Sequence, residues 1–432
     1  MKPFNKTILA VAVTLASSQT MAAGFLLNAQ SATGVGRAFA GDAVIADNAS
    51  VLARNPAAMA LFDKKQLSMG LNYADVEVTV SDVYINEIDY GGVDDAADAK
   101  IIPNFYYVSP VNDKFAYGVA LFSNFGTGTD TTDLSTQLVD GTLPAPLDLL
   151  GKTEVTTLNF NLSASYRFND HFSVGAGLDM IYGEGTLTRG GTVPTQAGSI
   201  ELVDVDADGV AFGGIIGAVY EINADHRFGM SYRFSPDFKA SGDINIYNSQ
   251  AQAAVAFDEI NIPLPDIFQV AGFHQLTDKF ALHYTAQLTT WGDFHELTVN
   301  DGTLGPVSVG SSSLKTYAWD DSWLFSVGGT YSLNNTWTLR AGFMADEGVV
   351  GELSSISIPD SDRKWYTAGA TYALSTNTSI DFGIAVVRGE DVHLIENSSF
   401  TDELPIGPNT GLVNATTRSN ATYYSMQYNY TF

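Results

Sequence analysis

Beyond Asp63 the chain alternates apolar and polar residues with a period of two, in runs too long for an ordinary sheet. Over residues 157–168, Leu158, Phe160, Leu162, Ala164, Tyr166 and Phe168 share one face, and Asn159, Asn161, Ser163, Ser165 and Arg167 the other. Residues 171–182 repeat the pattern, with Phe172, Val174, Ala176, Leu178, Met180 and Tyr182 opposed to His171, Ser173, Gly175, Gly177 and Asp179. Alternation of this kind is the mark of a strand with two unlike faces. Sandwich strands usually run about five or six residues. Runs of ten or more match a tilted strand crossing a bilayer.

The turns give the number of strands. Short polar breaks fall at Asn112 and Asp113, Asn169 and Asp170, residues 223–225, Thr277 and Asp278, Asn334 and Asn335, and residues 375–377. Asn and Asp suit such turns because they tolerate left-handed backbone and bond their own main chain. Longer polar breaks lie between them, at residues 81–98, 126–152, 190–207, 242–263, 300–316, 348–362 and 397–416. The spacing therefore predicts an all-β protein, a 14-stranded antiparallel transmembrane barrel with short turns at one rim and long loops at the other. An even number of strands puts both barrel ends on the periplasmic side.

Both ends of the chain agree. Lys2 and Lys6, the apolar residues 8–15 and the small residues before Ala23 read as a signal peptide over residues 1–22, too short in its apolar part to span a bilayer. At the other end Tyr424, Met426, Tyr428, Tyr430 and Phe432 share one face of a final strand. Tyr430 and the terminal Phe432 have the form of an outer-membrane sorting signal. Mean hydropathy is near zero, unlike that of a helical membrane bundle. There is no cysteine, hence no disulfide framework or thiolate metal site. A net charge of −27 argues against a nucleic-acid partner, since no basic face is available to neutralise phosphates.

Residues 23–65 do not alternate. They are rich in small residues, with the charges Arg37, Asp42, Asp47 and Arg54 in balance. Asn55 and Pro56 form a good helix start, with about two turns expected over residues 57–62. Such a segment is too short to be stable alone in water. A lumen of fourteen strands is wider than its own side chains can fill. The N-terminal segment is thus expected as a small helical hatch, or plug, inside a barrel of residues 66–432.

Several stretches carry candidate chemistry. Phe115, Tyr117, Val119 and Leu121 alternate outward until Ser123, Asn124, Phe125 and Gly126 break the phase, either because the strand ends or because a bulge re-aims it. Leu134 and Leu138 sit in a long loop, as do Val255 and Phe257 further on. Those residues suit a local helix packed on its neighbours and an external apolar capture groove. Asp204, Asp206, Asp208 and Gly209 resemble the start of a calcium loop, but the twelfth position is Ile215 rather than Glu. His171 and Ser173 share a strand face beside a short turn, without a third orienting group and without HExxH or GxSxG. An enzyme is not expected, nor a metal or other cofactor.

The pattern as a whole is specific. Ala23-Gly24-Phe25, Gly34-Val35-Gly36-Arg37-Ala38-Phe39, Ala46-Asp47, Arg54-Asn55-Pro56-Ala57, Pro103-Asn104, Ser123-Asn124-Phe125-Gly126 and Ile358-Pro359-Asp360-x-Asp362-Arg363 resemble the long-chain fatty acid transporters of Gram-negative outer membranes. Homologues that take up aromatic hydrocarbons share that architecture. The resemblance implies capture at an external groove, passage to an inner pocket, and lateral exit through a gap at a kinked third strand. It assigns Phe25 to the inner pocket and Arg189 to the ligand carboxylate, while a second basic position falls on Asp320. Asp320 would repel a carboxylate or pair with Arg189, unless Lys315 substitutes. Arg189 also reads as a charge at the barrel rim. The implied partners are a fatty acid or other hydrophobic ligand, outer-membrane lipid and lipopolysaccharide, and the barrel assembly machinery, around a monomer.

Overall fold

The computed structural model describes residues 24–432 apart from 86–87, 137, 140–142, 145, 193–198, 249, 351–354 and 399–411. The expected signal peptide lies outside the described residues. Fourteen barrel strands follow one another in chain order. They are β1 (Gln66–Ile85), β2 (Lys100–Pro110), β3 (Phe115–Phe122 and Gly126–Asp130), β4 (Gly151–Asn169), β5 (Phe172–Thr192), β6 (Ser199–Asn223) and β7 (His226–Phe234 and Asp237–Asn248). Then come β8 (Ala253–Phe257, Glu259–Pro263 and Ile267–Gln275), β9 (Phe280–Thr289 and Glu296–Leu304), β10 (Val307–Thr316 and Ser322–Ser332), β11 (Trp337–Asp346), β12 (Arg363–Ala373), β13 (Thr378–Gly389 and Val392–Asn397) and β14 (Leu412–Thr431). Each pairs antiparallel with its neighbours, and β14 returns to β1, from Gln66 opposite Thr431 to Ile85 opposite Val413. The return of β14 to β1 closes the sheet into a barrel, with an unpaired interval left between β2 and β3.

The two faces are inverted relative to a soluble protein. Leu162, Leu178 and Phe212 point outward, Leu178 and Phe212 with 70% and 72% of their surface exposed, while Asn159, Asn161, Ser163 and Ser165 are buried inside. Apolar side chains meet lipid and short polar ones meet the lumen. The short turns lie where the Asn and Asp residues place them. At the first, Asn112 Oδ1 accepts from the amides of Lys114 and Phe115 at 2.9 and 3.0 Å.

Several expected loops are strand instead. β6 has 25 residues and β5 has 21. At roughly 3.4 Å per residue they reach far beyond the ~30 Å apolar layer. Asp206 and Asp208 alternate with buried Val205 and Ala207, so they are the wet outer face of a paired strand rather than a calcium loop. Above the membrane the outer face of a strand meets water and is polar, and outward polarity imitates a loop.

The N-terminal segment, the hatch, packs on the inner wall. It holds α1 (Ala32–Gly36) and α2 (Val51–Arg54), and Ser31 Oγ caps α1 by accepting from Gly34 N at 2.9 Å. Asn55 Oδ1 accepts from Ala57 N at 3.0 Å, and its Nδ2 donates to Ala43 O and Ala218 O. The helix it starts, Pro56–Leu61, is 3₁₀ rather than the expected α-turns. Six residues exceed the usual 3₁₀ run of about three or four, and packing against β4, β5 and β6 holds this one. Hatch and wall touch backbone to backbone: a Cβ on Gly342 of β11 would lie 2.3 Å from the Arg37 carbonyl carbon, and one on Gly175 of β5 2.4 Å from Ala57 N.

Charge holds the same seat. Arg37 pairs with Asp42 at 2.8 Å and Asp47 at 2.7 Å, and Asp47 also meets Arg340 of β11 at 3.2 Å. Of these, Arg37, Asp42 and Arg340 are buried. A buried pair stabilises mainly in that breaking it strands a charge.

Candidate functional site

Two strand breaks build the inner pocket. β9 is interrupted by a 3₁₀ turn at Trp291–Asp293, and β10 between Thr316 and Ser322. Freed from the ladder, Trp291, Phe294, Tyr317 and Trp319 turn inward and are buried. Phe25 enters their centre, with ring centroids 4.6 Å from Trp291, 5.2 Å from Phe294, 5.9 Å from Trp319 and 6.0 Å from Phe125. Beside this cluster runs a narrow cavity of about 70 Å³, lined by Phe25, Val155, Leu187, Val205, Phe238, Ile260, Phe294 and Tyr317 among others. Its wall is almost wholly apolar, which suits a hydrocarbon chain.

The hatch N-terminus is tied down at this point. Gly24 has φ +60°, and a Cβ there would meet Trp291 at 2.8 Å, so glycine is required both by conformation and by space. Its amide donates to Asp360, which also accepts from Val349 N at 2.7 Å and from Arg363 Nη2 at 2.5 Å. Burial pushes the Asp360 carboxyl up, and Arg363 opposes that shift. Asp360 belongs to the Ile358–Arg363 pattern, yet nothing in the spacing connects it with Gly24.

Arg189 is buried near the end of β5, with its guanidinium donating to Lys152 O at 2.8 Å, Thr188 O at 2.6 Å and Thr153 Oγ1 at 2.7 Å. Asp320 is not brought to it. Its side chain is exposed and its amide donates to Val349 O. The break in β10 that aims Tyr317 and Trp319 inward turns Asp320 out. Lys315 is engaged elsewhere, with Glu396 and with Ser355 Oγ at 2.8 Å.

The third strand is kinked where the alternation fails. Phe122 pairs with Asn159 and Gly126 with Thr156, so β3 carries one residue more than β4 across the break. Gly126–Asp130 then continues as strand, which removes the reading that β3 ends at Gly126. On its other side, β3 pairs with β2 only from Pro110 opposite Ala116 to Phe105 opposite Leu121. Among the described residues, 100–104 of β2 have strand partners in β1 alone and Gly126–Asp130 in β4 alone. The gap is bounded above by Asp130 N donating to Ala96 O, and Lys100 reaches across it toward Glu154 at 3.5 Å.

The kink's backbone is satisfied by the hatch. Leu27 N donates to Asn124 O and Gly126 N to Phe25 O, both at 2.7 Å. Thr157 Oγ1 meets both the amide and the carbonyl of Phe125. Ser123 and Asn124 receive the Gln30 side chain, which lies 2.9 Å from Asn124 Oδ1.

The expected external groove is not open at the residues assigned to it. Leu134, on α3 (Thr132–Ser135), and Val255 and Phe257 of β8 are all buried in the core around the inner pocket. The Leu138 side chain lies outside those described. An apolar loop residue above a barrel finds cover against its neighbours, and here that cover is complete. At the far end Tyr430 and Phe432 stack edge to face at 4.9 Å, with Phe432 exposed.

Comparison with known proteins gives a consistent answer. The family described as "Outer membrane protein transport protein (OMPP1/FadL/TodX)" matches residues 13–432. Outer membrane protein P1 of Haemophilus influenzae is 32% identical over the full length of both chains. A long-chain fatty acid transport protein of Escherichia coli is 31% identical, over 91% of this chain and 93% of its own. Among solved structures, a Pseudomonas aeruginosa FadL homologue superposes with a TM-score of 0.77 at 23% identity, covering 94% of this chain and 99% of its own. The Ralstonia pickettii toluene transporter TbuX does so at 0.65 and 18% identity, over 93% and 98%. A closed barrel with lipid-facing apolar strands, matched along its length by this family, makes the chain a member of the OMPP1/FadL/TodX family of outer-membrane transport proteins.

Proposed function

We propose that the protein imports long-chain fatty acids by diffusion through apolar sites, without a cofactor, and releases them sideways at β3. The observation that carries this reading is the adjacency of pocket and gap. Phe125 is at once a wall of the Phe25 cluster and the middle of the β3 kink. A chain leaving the pocket past Phe25 therefore meets the one stretch of β3 that lacks a β2 partner among the described residues. An unpaired interval in a lipid-facing wall is costly and calls for a use. In this reading Ser123, Asn124, Phe125 and Gly126 form the lateral gate, and the hatch, with Gly34, Gly36, Arg37, Asp47, Arg54, Asn55, Pro56 and Ala57, keeps water and ions out.

A second substrate class has an observation in its favour. The Arg189 guanidinium is already hydrogen-bonded to two carbonyls and a hydroxyl, and Phe25, Phe238, Phe294 and Tyr317 are among the residues lining the cavity. That arrangement suits an aromatic hydrocarbon, which has no carboxylate to bind. Uptake of radiolabelled oleate and toluene by cells lacking their own transporter separates the two: oleate alone is expected, and toluene alone overturns the fatty acid reading. The gate is tested by Asn124→Arg combined with Gly126→Arg, which fills the gap. Oleate uptake is expected to fall at least about tenfold, with binding to purified protein retained, since a lost path costs rate rather than affinity. Unchanged uptake would remove the gate.

A further inference from the structure

Five carboxamides converge just inside the gap, and each carries a buried atom with no hydrogen-bond partner. Asn28 and Gln30 come from the hatch, Asn72 from β1, Asn104 from β2 and Asn124 from the β3 kink, all of them buried. Asn28 Nδ2, Gln30 Oε1, Asn72 Oδ1, Asn124 Nδ2 and both amide atoms of Asn104 are unpaired. Buried polar atoms are satisfied in the great majority of cases, so six unpaired ones around one opening are not background.

Asn28, Gln30, Asn72 and Asn124 are tied together through the hatch at residues 28–30, and Asn104 lies on the same inward face of β2 as Tyr106. Gln30 Nε2 donates to Asn124 Oδ1 at 2.9 Å, and Tyr106 Oη, next inward on β2 after Asn104, donates to Gln30 O at 2.8 Å. Asn72 Nδ2 donates to Ala29 O at 2.8 Å. Arg54 completes the set: its guanidinium bonds Asn28 O at 2.6 Å and Asn28 Oδ1 at 3.5 Å, and its Nε has no partner. Among the described residues no carboxylate lies within ion-pairing distance of Arg54, unlike Arg37, Arg233, Arg340 and Arg363.

We propose that this cluster is a head-group site at the gate, where the carboxyl end of a long-chain acid is held while its hydrocarbon chain passes the gap. The inference rests on the lateral exit argued above. An apolar wall alone would let a hydrocarbon out but would strip a carboxylate of water with nothing in return, which is prohibitive. Amide N–H donors from Asn28, Asn104 and Asn124, with the charge of Arg54 behind them, replace that water. The groups that would bond the head are neutral carboxamides and one cation, Arg54, whose charge is already tempered by Asp42, so the head is held transiently and let go.

The variant that isolates the idea is Asn104→Leu, which removes two unpaired atoms while keeping the branched shape and disturbs no side-chain hydrogen bond of the folded protein. Arg54→Met is the second. Each is compared with wild type for uptake of radiolabelled oleate and of 1-octadecene, a chain of equal length without a head group, and for oleate binding by tryptophan fluorescence. Oleate uptake is expected to fall about tenfold in Asn104→Leu, with octadecene uptake and oleate binding unchanged and with partial recovery in Asn104→Gln. In Arg54→Met oleate uptake is expected to fall further, and by more than octadecene uptake. Unchanged oleate uptake in both variants, or equal loss of both substrates, overturns the proposal. If the gap-filling arginines slow oleate while Asn104→Leu and Arg54→Met do not, the head-group site alone is wrong. If the arginines too have no effect, the lateral exit itself is wrong.

Discussion

Replacing Gly342 with valine is expected to turn a closed barrel into an ion-conducting one. The glycine lies on β11, paired on both sides of that point with β10 and β12, so the wall cannot step back. A Cβ at this position would stand 2.3 Å from the carbonyl carbon of Arg37 and 2.4 Å from its oxygen. Those are backbone atoms and no rotamer change relieves the clash. The hatch must move, and it moves where Arg37 joins Asp42, Asp47 and, through Asp47, Arg340. Overpacking costs about 1–3 kcal/mol, and parting a buried pair about 3–5 kcal/mol. Together these rival the whole stability of a small domain, roughly 5–15 kcal/mol. The barrel, held by its own ladder, survives the loss of its stopper. Planar-bilayer recording should show little current for wild type and stepwise conductance for Gly342→Val, and cells should gain sensitivity to bulky antibiotics. Gly128→Ala is the control, since its nearest neighbour would be Lys100 Nζ at 3.5 Å, an ordinary contact. A silent Gly342→Val would mean that the hatch is not what closes the lumen.

That seat explains which parts of the protein could be read in the sequence. Alternation and Asn/Asp turns are local, so the strands and the short turns were legible. Extent was not. Asp204, Asp206 and Asp208 look like a loop because the outer face above the membrane is as polar as one, and only pairing with β5 and β7 shows strand. The kink was visible as a lost phase at Ser123, but its partners Phe25, Leu27 and Gln30 come from the hatch and leave no periodic trace. Trp291 and Trp319 sit in strand breaks, where alternation carries no information about direction. Arg189 and Asp320 stay apart for the same reason, because the break in β10 reverses which residues face inward. Arg54 stood out only as one member of a motif. Its lack of a carboxylate is a property of the folded lumen.

The second large effect is expected at Asp360, far along the chain from the residue it holds. Asp360→Ala removes the acceptor for Gly24 N, Val349 N and Arg363 at once. Arg363 is then buried with only Asp346, 3.7 Å away, as a weak substitute. Leaving such a charge unpaired costs about 3–5 kcal/mol. Relief is available at Gly24 and Phe25, which besides Asp360 are held to β3 by the bond from Gly126 N to Phe25 O, so this end can detach without unfolding the barrel. Detachment withdraws Phe25 from between Trp291, Phe294 and Trp319, opening the inner pocket permanently. Tryptophan emission should shift to the red, because Trp291 and Trp319 lose an apolar neighbour and gain water. Amide exchange at Leu27 and Gly126, which bond across the hatch and kink, should quicken by at least about a hundredfold, the equivalent of roughly 3 kcal/mol. Affinity for oleate should change with it, since a ligand no longer has to displace the Phe25 ring. Phe25→Ala tests the same link from the other side, because it empties the ring's place while leaving Asp360 and Gly24 bonded. If Asp360→Ala alters binding and Phe25→Ala does not, the anchor acts on the pocket through the loop at Val349 rather than through the hatch. If neither does, pocket and hatch are energetically separate, and the ligand reaches the gate without moving the stopper.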